Sequence, residues 1–254
     1  MADALIDLGH GFWNIRGTLK LGGIVNVGTQ TSLVRLTSGR FLFLDSYELS
    51  GEVRDQVMAL TDQGRAVEAV LNLHPFHTLH CEAMARDFPE ALFYGSDRHA
   101  RLRPSVLWEE TRVESPELAQ RYGGDLQFSL PDGIDYICQN EKVHAGSLLA
   151  FHPASGSLHV DDTLNVPPVP GLVRRILPVP RLFLHPTLKS ALQDHKGAAQ
   201  EFLGWLDRIA QDWSATRTLC AAHSGISRFG PGEFGAALTR ARTKAARTLK
   251  DRAA

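Results

Sequence analysis

The chain has 254 residues, 43% hydrophobic and 22% charged, the balance of an ordinary globular protein. Its 27 basic and 28 acidic side chains give a formal net charge of -1, which supplies no basic face for nucleic acid. No apolar run approaches the roughly 20 residues of a membrane span, the N-terminus has no basic signal-like region, and three scattered cysteines make no disulfide framework. The expectation is therefore one cytoplasmic domain spanning residues 1–254.

From Asn14 to Tyr47 the sequence reads as strands, with SLVRLTSGRFLFLD forming a hairpin over Ser38-Gly39 and ending at Asp45. Residues 51–65 place Val53, Val57, Met58 and Leu60 on one helical face, with Gly64 as a stop. AVEAVLNL is a buried strand, EAMARDFP a second helix ending near Pro89, and ALFYG a further strand. This is the βαβ rhythm of an α/β protein. Residues 97–135 read as irregular. YICQ, SLLAFHPASGSLHVDD and LNV return to strands, with a turn at Ser155-Gly156. The stretch 167–186 carries six prolines and reads as an excursion that shapes a cleft entrance. Phe202, Trp205, Leu206, Ile209 and Trp213 line one face of a helix over 198–213. TLCAAHSG is a last strand ending in a His-Ser-Gly turn, and Thr239–Arg252 is a solvated final helix.

Residues able to bind a metal recur where these strands end. They are Asp45, the group His74, His77 and His80 in NLHPFHTLHC, then His144, Asp162 and His223. Several strands deliver side chains to one place at such ends. Imidazole is a common ligand of zinc and iron, and a carboxylate can bridge two ions. A bland reading stands beside this one: Pro75 suits a first helical turn, and His77 and His80 then share a face for helical reasons alone. Asp162 has a rival in Asp161 as the residue that caps the turn into Thr163. Asp45 reads as structural, and His10, His99, His152, His159 and His195 as surface or packing residues. His185 also reads as a surface or packing residue, with a substrate contact at the cleft as the alternative; Cys220 is an apolar packing residue, and Cys81, next to His80, is placed near the site. No Gly-x-Ser-x-Gly elbow and no Gly-rich phosphate loop is present.

FLFLDSY, HPFHTLH, VHAGSLLAFHPASGSLHVDDTL and AAHSG, in this order, resemble the metallo-β-lactamase superfamily from about residue 25 to 225. The resemblance implies an αββα four-layer sandwich of α/β (α+β) class, with the site at one edge between two sheets. It carries ligand positions to His144, Asp162 and His223. Aligned on its last histidine, the His-x-His-x-Asp-His motif puts His77 and His80 on ligand positions, with His74 standing in for the first histidine and Leu79 where the motif has aspartate. The family pattern then groups His74, His77 and His144 at one ion, and His80, His223 and Asp162 at the other, which lacks its aspartate. One zinc or iron ion is the expectation, with Asp162 the carboxylate that orients the attacking water. The implied function is metal-dependent hydrolysis of a small ester, lactone, thioester or amide. The alternative is a non-catalytic protein of the same fold that binds a ligand or partner.

Overall fold

The computed structural model describes residues 3–21, 25–167, 180–223 and 225–249. Most of the proline-rich stretch, Ser224 of the expected turn, and the end of the expected final helix lie outside these residues.

The chain opens with β1 (Ala4–Asp7), β2 (Phe12–Gly17), β3 (Lys20–Leu21), β4 (Val25–Asn26), β5 (Thr29–Arg35) and β6 (Phe41–Leu44). Helix α1 (Gly51–Leu60), β7 (Val67–Leu71), α2 (Cys81–Asp87) and β8 (Leu92–Tyr94) follow. These give a six-stranded sheet ordered β1-β2-β5-β6-β7-β8, in which β6, β7 and β8 run parallel. Next come α3 (Asp97–Leu102), α4 (Pro116–Tyr122), β9 (Gln127–Ser129), β10 (Leu149–His152), β11 (Ser157–Val160), β12 (Leu164–Asn165) and β13 (Phe183–Leu184). The chain closes with α5 (Leu188–Ala191), α6 (Ala198–Asp212), β14 (Thr218–Ala221), β15 (Gly225–Arg228) and α7 (Glu233–Ala246). The second sheet is ordered β15-β14-β11-β10-β9.

Strand alternation sorts the buried residues into four layers. Phe41 and Phe43 of β6 pack with Val53, Val57, Met84 and Phe88 of the helices outside the first sheet. Leu42 and Leu44 turn the other way, toward Leu148, Ala150 and Cys220 of the second sheet. Outside that second sheet, Leu149, Phe151, Leu158 and Val160 meet Phe202, Trp205, Leu206, Phe234 and Leu238 of α6 and α7. The architecture is therefore the expected αββα sandwich.

The layer between the sheets changes character along its length. The β2–β5 register pairs Phe12 with Val34, then Asn14 with Ser32, then Arg16 with Gln30. Apolar pairs give way to neutral polar and then charged ones, and the second sheet answers each. Asn14 donates to Gln30 and Ser32. Gln30 donates to the carbonyls of Val160 and Cys220. Arg16 donates to those of Ala221 and Ala222. Buried polar groups are tolerated where they find partners, and this polar end is the one the site occupies.

Four local expectations are corrected. The first helix ends at Leu60, because Asp62, Gln63 and Gly64 all take left-handed backbone (φ 53, 56 and 84°). The stretch 97–135 holds two helices and a strand, each helix starting after a serine, Ser96 or Ser115. YICQ is not a strand, while Gly225–Arg228 is one, folding back on β14. The last helix begins at Glu233, six residues before the expected start, after Gly232 at φ 75°. No helix among the described residues is long and apolar enough to cross a membrane.

Phe43 is fully buried with its ring centroid 5.0 Å from that of Phe88. Phe43→Ala is expected to cost about 3–5 kcal/mol, read as a fall in the urea midpoint at unchanged slope.

Candidate metal centre

Asp45 fixes the loop that follows β7. It sits at φ 64° just past β6 and accepts the Leu73 N–H on Oδ1 at 2.7 Å. The Leu73 carbonyl in turn receives the Leu148 N–H and the Tyr136 hydroxyl, both at 3.0 Å. The loop is thus pinned to both sheets immediately before His74. Arg98 holds the next residue, donating to the Pro75 carbonyl at 3.2 Å with its guanidinium 4.3 Å over the Phe76 ring.

His74, His77, His144 and His223 converge on Asp162. Their potential ligand atoms form two groups, His74–His144–Asp162 and His77–Asp162–His223, each within 4.8 Å. Asp162 is common to both and 1% exposed. Hydrogen bonds distinguish the groups. His74 Nδ1 accepts the Phe76 N–H at 3.1 Å, so that nitrogen carries no proton. His74 Nε2 lies 3.0 Å from the His144 carbonyl and 3.3 Å from Asp162 Oδ2. A carbonyl only accepts, so Nε2 carries the proton and its lone pair is not available. His144 Nδ1 donates to the same Asp162 Oδ2 at 2.7 Å.

His223 has the opposite arrangement. Its Nδ1 donates to the Gly28 carbonyl at 2.9 Å, which leaves Nε2 unprotonated in the neutral ring. That Nε2 lies 3.3 Å from Asp162 Oδ1, and Oδ1 has no hydrogen-bond partner among the described residues. His77 stacks on His74 with centroids 4.1 Å apart and turns Nε2 toward Asp162 Oδ2 at 3.9 Å.

Burial works against ionising Asp162, but the hydrogen bonds from His144 and His74 outweigh it and hold the carboxyl well below the usual range. The same hydrogen bond raises His144. Burial lowers His223, which favours the neutral form a metal requires. A buried, ionised carboxylate with one unpaired oxygen, facing imidazole lone pairs, suits zinc or iron. The donor set therefore fits such an ion.

His80 stands apart from both groups, which corrects the sequence-based assignment. It is the residue before α2, its ring lies edge-on to Tyr47 at 5.0 Å, and its Nε2 is buried without a hydrogen-bond partner among the described residues. The turn closed by His77 N–H on the His74 carbonyl brings His77, three residues earlier, to the place beside His223 expected for His80. Leu79 is 61% exposed and points no group into the site. His185 reaches the rim, its ring 4.9 Å from that of His144. Cys81 is buried, its thiol pushed up to about 12 by burial.

A further histidine, His159, lies behind this cluster. Of the two readings given for it, surface or packing, His159 takes the second: it is fully buried, its Nδ1 lies 2.9 Å from the Ser32 hydroxyl and its Nε2 pairs with Asp45 Oδ2 at 2.9 Å. Its signal is strand parity: Leu158 and Val160 face the helices, so His159 and Asp161 must face the other sheet. Burial opposes ionisation of Asp45, and the His159 hydrogen bond overcomes it, lowering the carboxyl. Burial, then the neighbouring Asp45, raises Asp161 well above the ordinary range.

No family profile and no curated protein matches the sequence. Solved structures do match it. A metallo-β-lactamase from Erythrobacter litoralis is 15% identical with a TM-score of 0.62, covering 96% of each chain. The metallo-β-lactamase FIM-1 from Pseudomonas aeruginosa, solved in a mono-zinc form, is 10% identical with a TM-score of 0.62 and covers 97% of each. A metallo-β-lactamase from Hirschia baltica is 11% identical with a TM-score of 0.61, covering 95% of this chain and 98% of its own. At these identities the likeness speaks for the fold alone, and the chain adopts the metallo-β-lactamase fold.

Proposed function

We propose that the chain is a metal-dependent hydrolase that holds one zinc or iron ion between His77, Asp162 and His223. Its substrate class is a small ester, lactone, thioester or amide. The observation that carries this reading is the facing pair of His223 Nε2 and Asp162 Oδ1, 3.3 Å apart with no hydrogen bond between them. The P. aeruginosa neighbour in its mono-zinc form supports a single ion as compatible with this fold. The neighbours' substrates do not transfer, because one fold hosts many chemistries.

When bound, such an ion activates water and polarises the substrate carbonyl. The protein's own groups supply the rest. His74 and His144 both engage Oδ2 of Asp162, which fixes the carboxylate plane and keeps it ionised. Asp162 Oδ1 would then face the ion with one lone pair, leaving the other to accept a hydrogen from the attacking water. At the rim, His185 Nδ1 accepts the Thr187 N–H at 3.3 Å, so its proton sits on Nε2 as a donor for a substrate oxygen. Phe76, half-buried beside His144 at 6.0 Å, supplies an apolar wall.

Protein purified without added metal is expected to carry one zinc or iron per chain by elemental analysis. His223→Ala and Asp162→Ala are expected to lose it, and His80→Ala to retain it. A metal-free wild type, or loss confined to the His80 variant, contradicts the reading.

Hydrolysis of a panel of nitrophenyl esters, thioesters and lactones is expected to stop on chelation and return with zinc. His185→Asn is expected to retain metal while lowering kcat by about 10²–10⁴-fold, the range for losing a proton donor to the reacting group. Unchanged turnover in that variant removes His185 from the reaction.

A further inference from the structure

We infer that Asp161 is the positioning residue of the metal centre, holding the proton on Nδ1 of His77 so that Nε2 faces the ion. This rests on the metal reading proposed above and deepens it. Asp161 and Asp162 are consecutive residues past the end of β11, and they bracket one imidazole. Asp161 Oδ1 lies 3.4 Å from His77 Nδ1, and Asp162 Oδ2 lies 3.9 Å from His77 Nε2. A neutral imidazole has one proton to place, and the acceptor at Nδ1 decides where it goes.

Burial, then the neighbouring Asp45 carboxyl, raises Asp161, so it faces His77 Nδ1 as an acceptor through the oxygen that carries no proton. It is 1% exposed, and neither oxygen has a hydrogen-bond partner among the described residues. Behind it, Asp45 is fully engaged, Oδ1 with the Leu73 N–H and Oδ2 with His159. His159 Nε2, 3.9 Å from Asp161 Oδ1, is turned to Asp45 at 2.9 Å. His77 Nδ1 is therefore the nearer donor to Asp161. An unpaired buried carboxyl costs stability wherever it does nothing else. A site that asks it to orient a ligand gives a reason for aspartate at this position.

The two histidines of the centre are then oriented by different groups. His223 Nδ1 meets a backbone carbonyl, that of Gly28, and His77 Nδ1 meets a carboxyl group. Partners of this kind fix ring orientation and raise ligand basicity, and their removal typically weakens metal binding about 10–100-fold. The loop residue at the motif's aspartate position, Leu79, is exposed, so the carboxylates near His77 come from β11 instead.

The test uses the full chain, stripped of metal and titrated with zinc against a chromophoric chelator, and with cobalt for its visible spectrum. Asp161→Asn is expected to bind zinc about 10–100-fold more weakly and to shift the cobalt bands, while the melting temperature of the metal-free protein stays level or rises. Asp161→Ala is the second variant and is expected to lose at least as much affinity. Zinc affinity and cobalt bands equal to wild type in either variant overturn the inference. So does a loss of affinity matched by a fall in metal-free stability, the mark of a purely structural role. A wild type that binds neither metal overturns the proposed function and this inference with it, and that failure is read on a different sample.

Discussion

The structure depends on the pairing of Asp45 with His159 across the two sheets. One carboxylate closes β6, receives the loop N–H that precedes His74, and reaches the histidine of β11. A buried pair of this kind gives no reliable net stability, because desolvation offsets most of the attraction. It does fix register: a strand slip by one residue would turn His159 to the helix layer and put Leu158 or Val160 against Asp45. The loop after β7 and the end of β11 are thereby held in one relation, and those two segments carry His74, His77, Asp161 and Asp162.

The polar stratum between the sheets extends this constraint to His223. Arg16 and Gln30 both donate to carbonyls at the end of β14, and the Gly28 carbonyl receives His223. Gly28 lies at φ 73°, a conformation favoured by glycine, and this lets the backbone present that carbonyl. The N-terminal strands thus act on the site at a distance in sequence of nearly the whole chain. They position His223 without contributing a side chain to the His/Asp cluster. Gly146 plays a comparable part beside His144, since a Cβ there would lie 2.6 Å from the Asp135 carbonyl oxygen.

Strand alternation and helix periodicity made the sandwich legible, because both report which face of an element is buried. The apolar runs of β6, β7 and β10 and the helix at 198–212 stand where that pattern placed them. Asp162 and His223 were legible as residues just past strand ends, and His144 as one in the segment leading into β10, since strand ends are set by the same pattern. The division of labour within HPFHTLH was not. Spacing says that three histidines are near one another but not which way a turn aims them, and here a turn at His74–His77 brings His77 inward and leaves His80 against Tyr47. The protonation pattern was equally hidden. His74 is spoken for by the Phe76 N–H, a contact that exists only once the loop is folded. Parity would have chosen between the surface and packing readings of His159, but the direction of its face is not fixed until the facing strand is known.

The proposed centre is a single ion shared by His77, Asp162 and His223. Anomalous diffraction at the zinc and iron edges, on crystals of the protein purified without added metal, tests it most directly. One anomalous peak is expected, bounded by His77 Nε2, Asp162 and His223 Nε2. A peak against His80, or no peak at either edge, would contradict it.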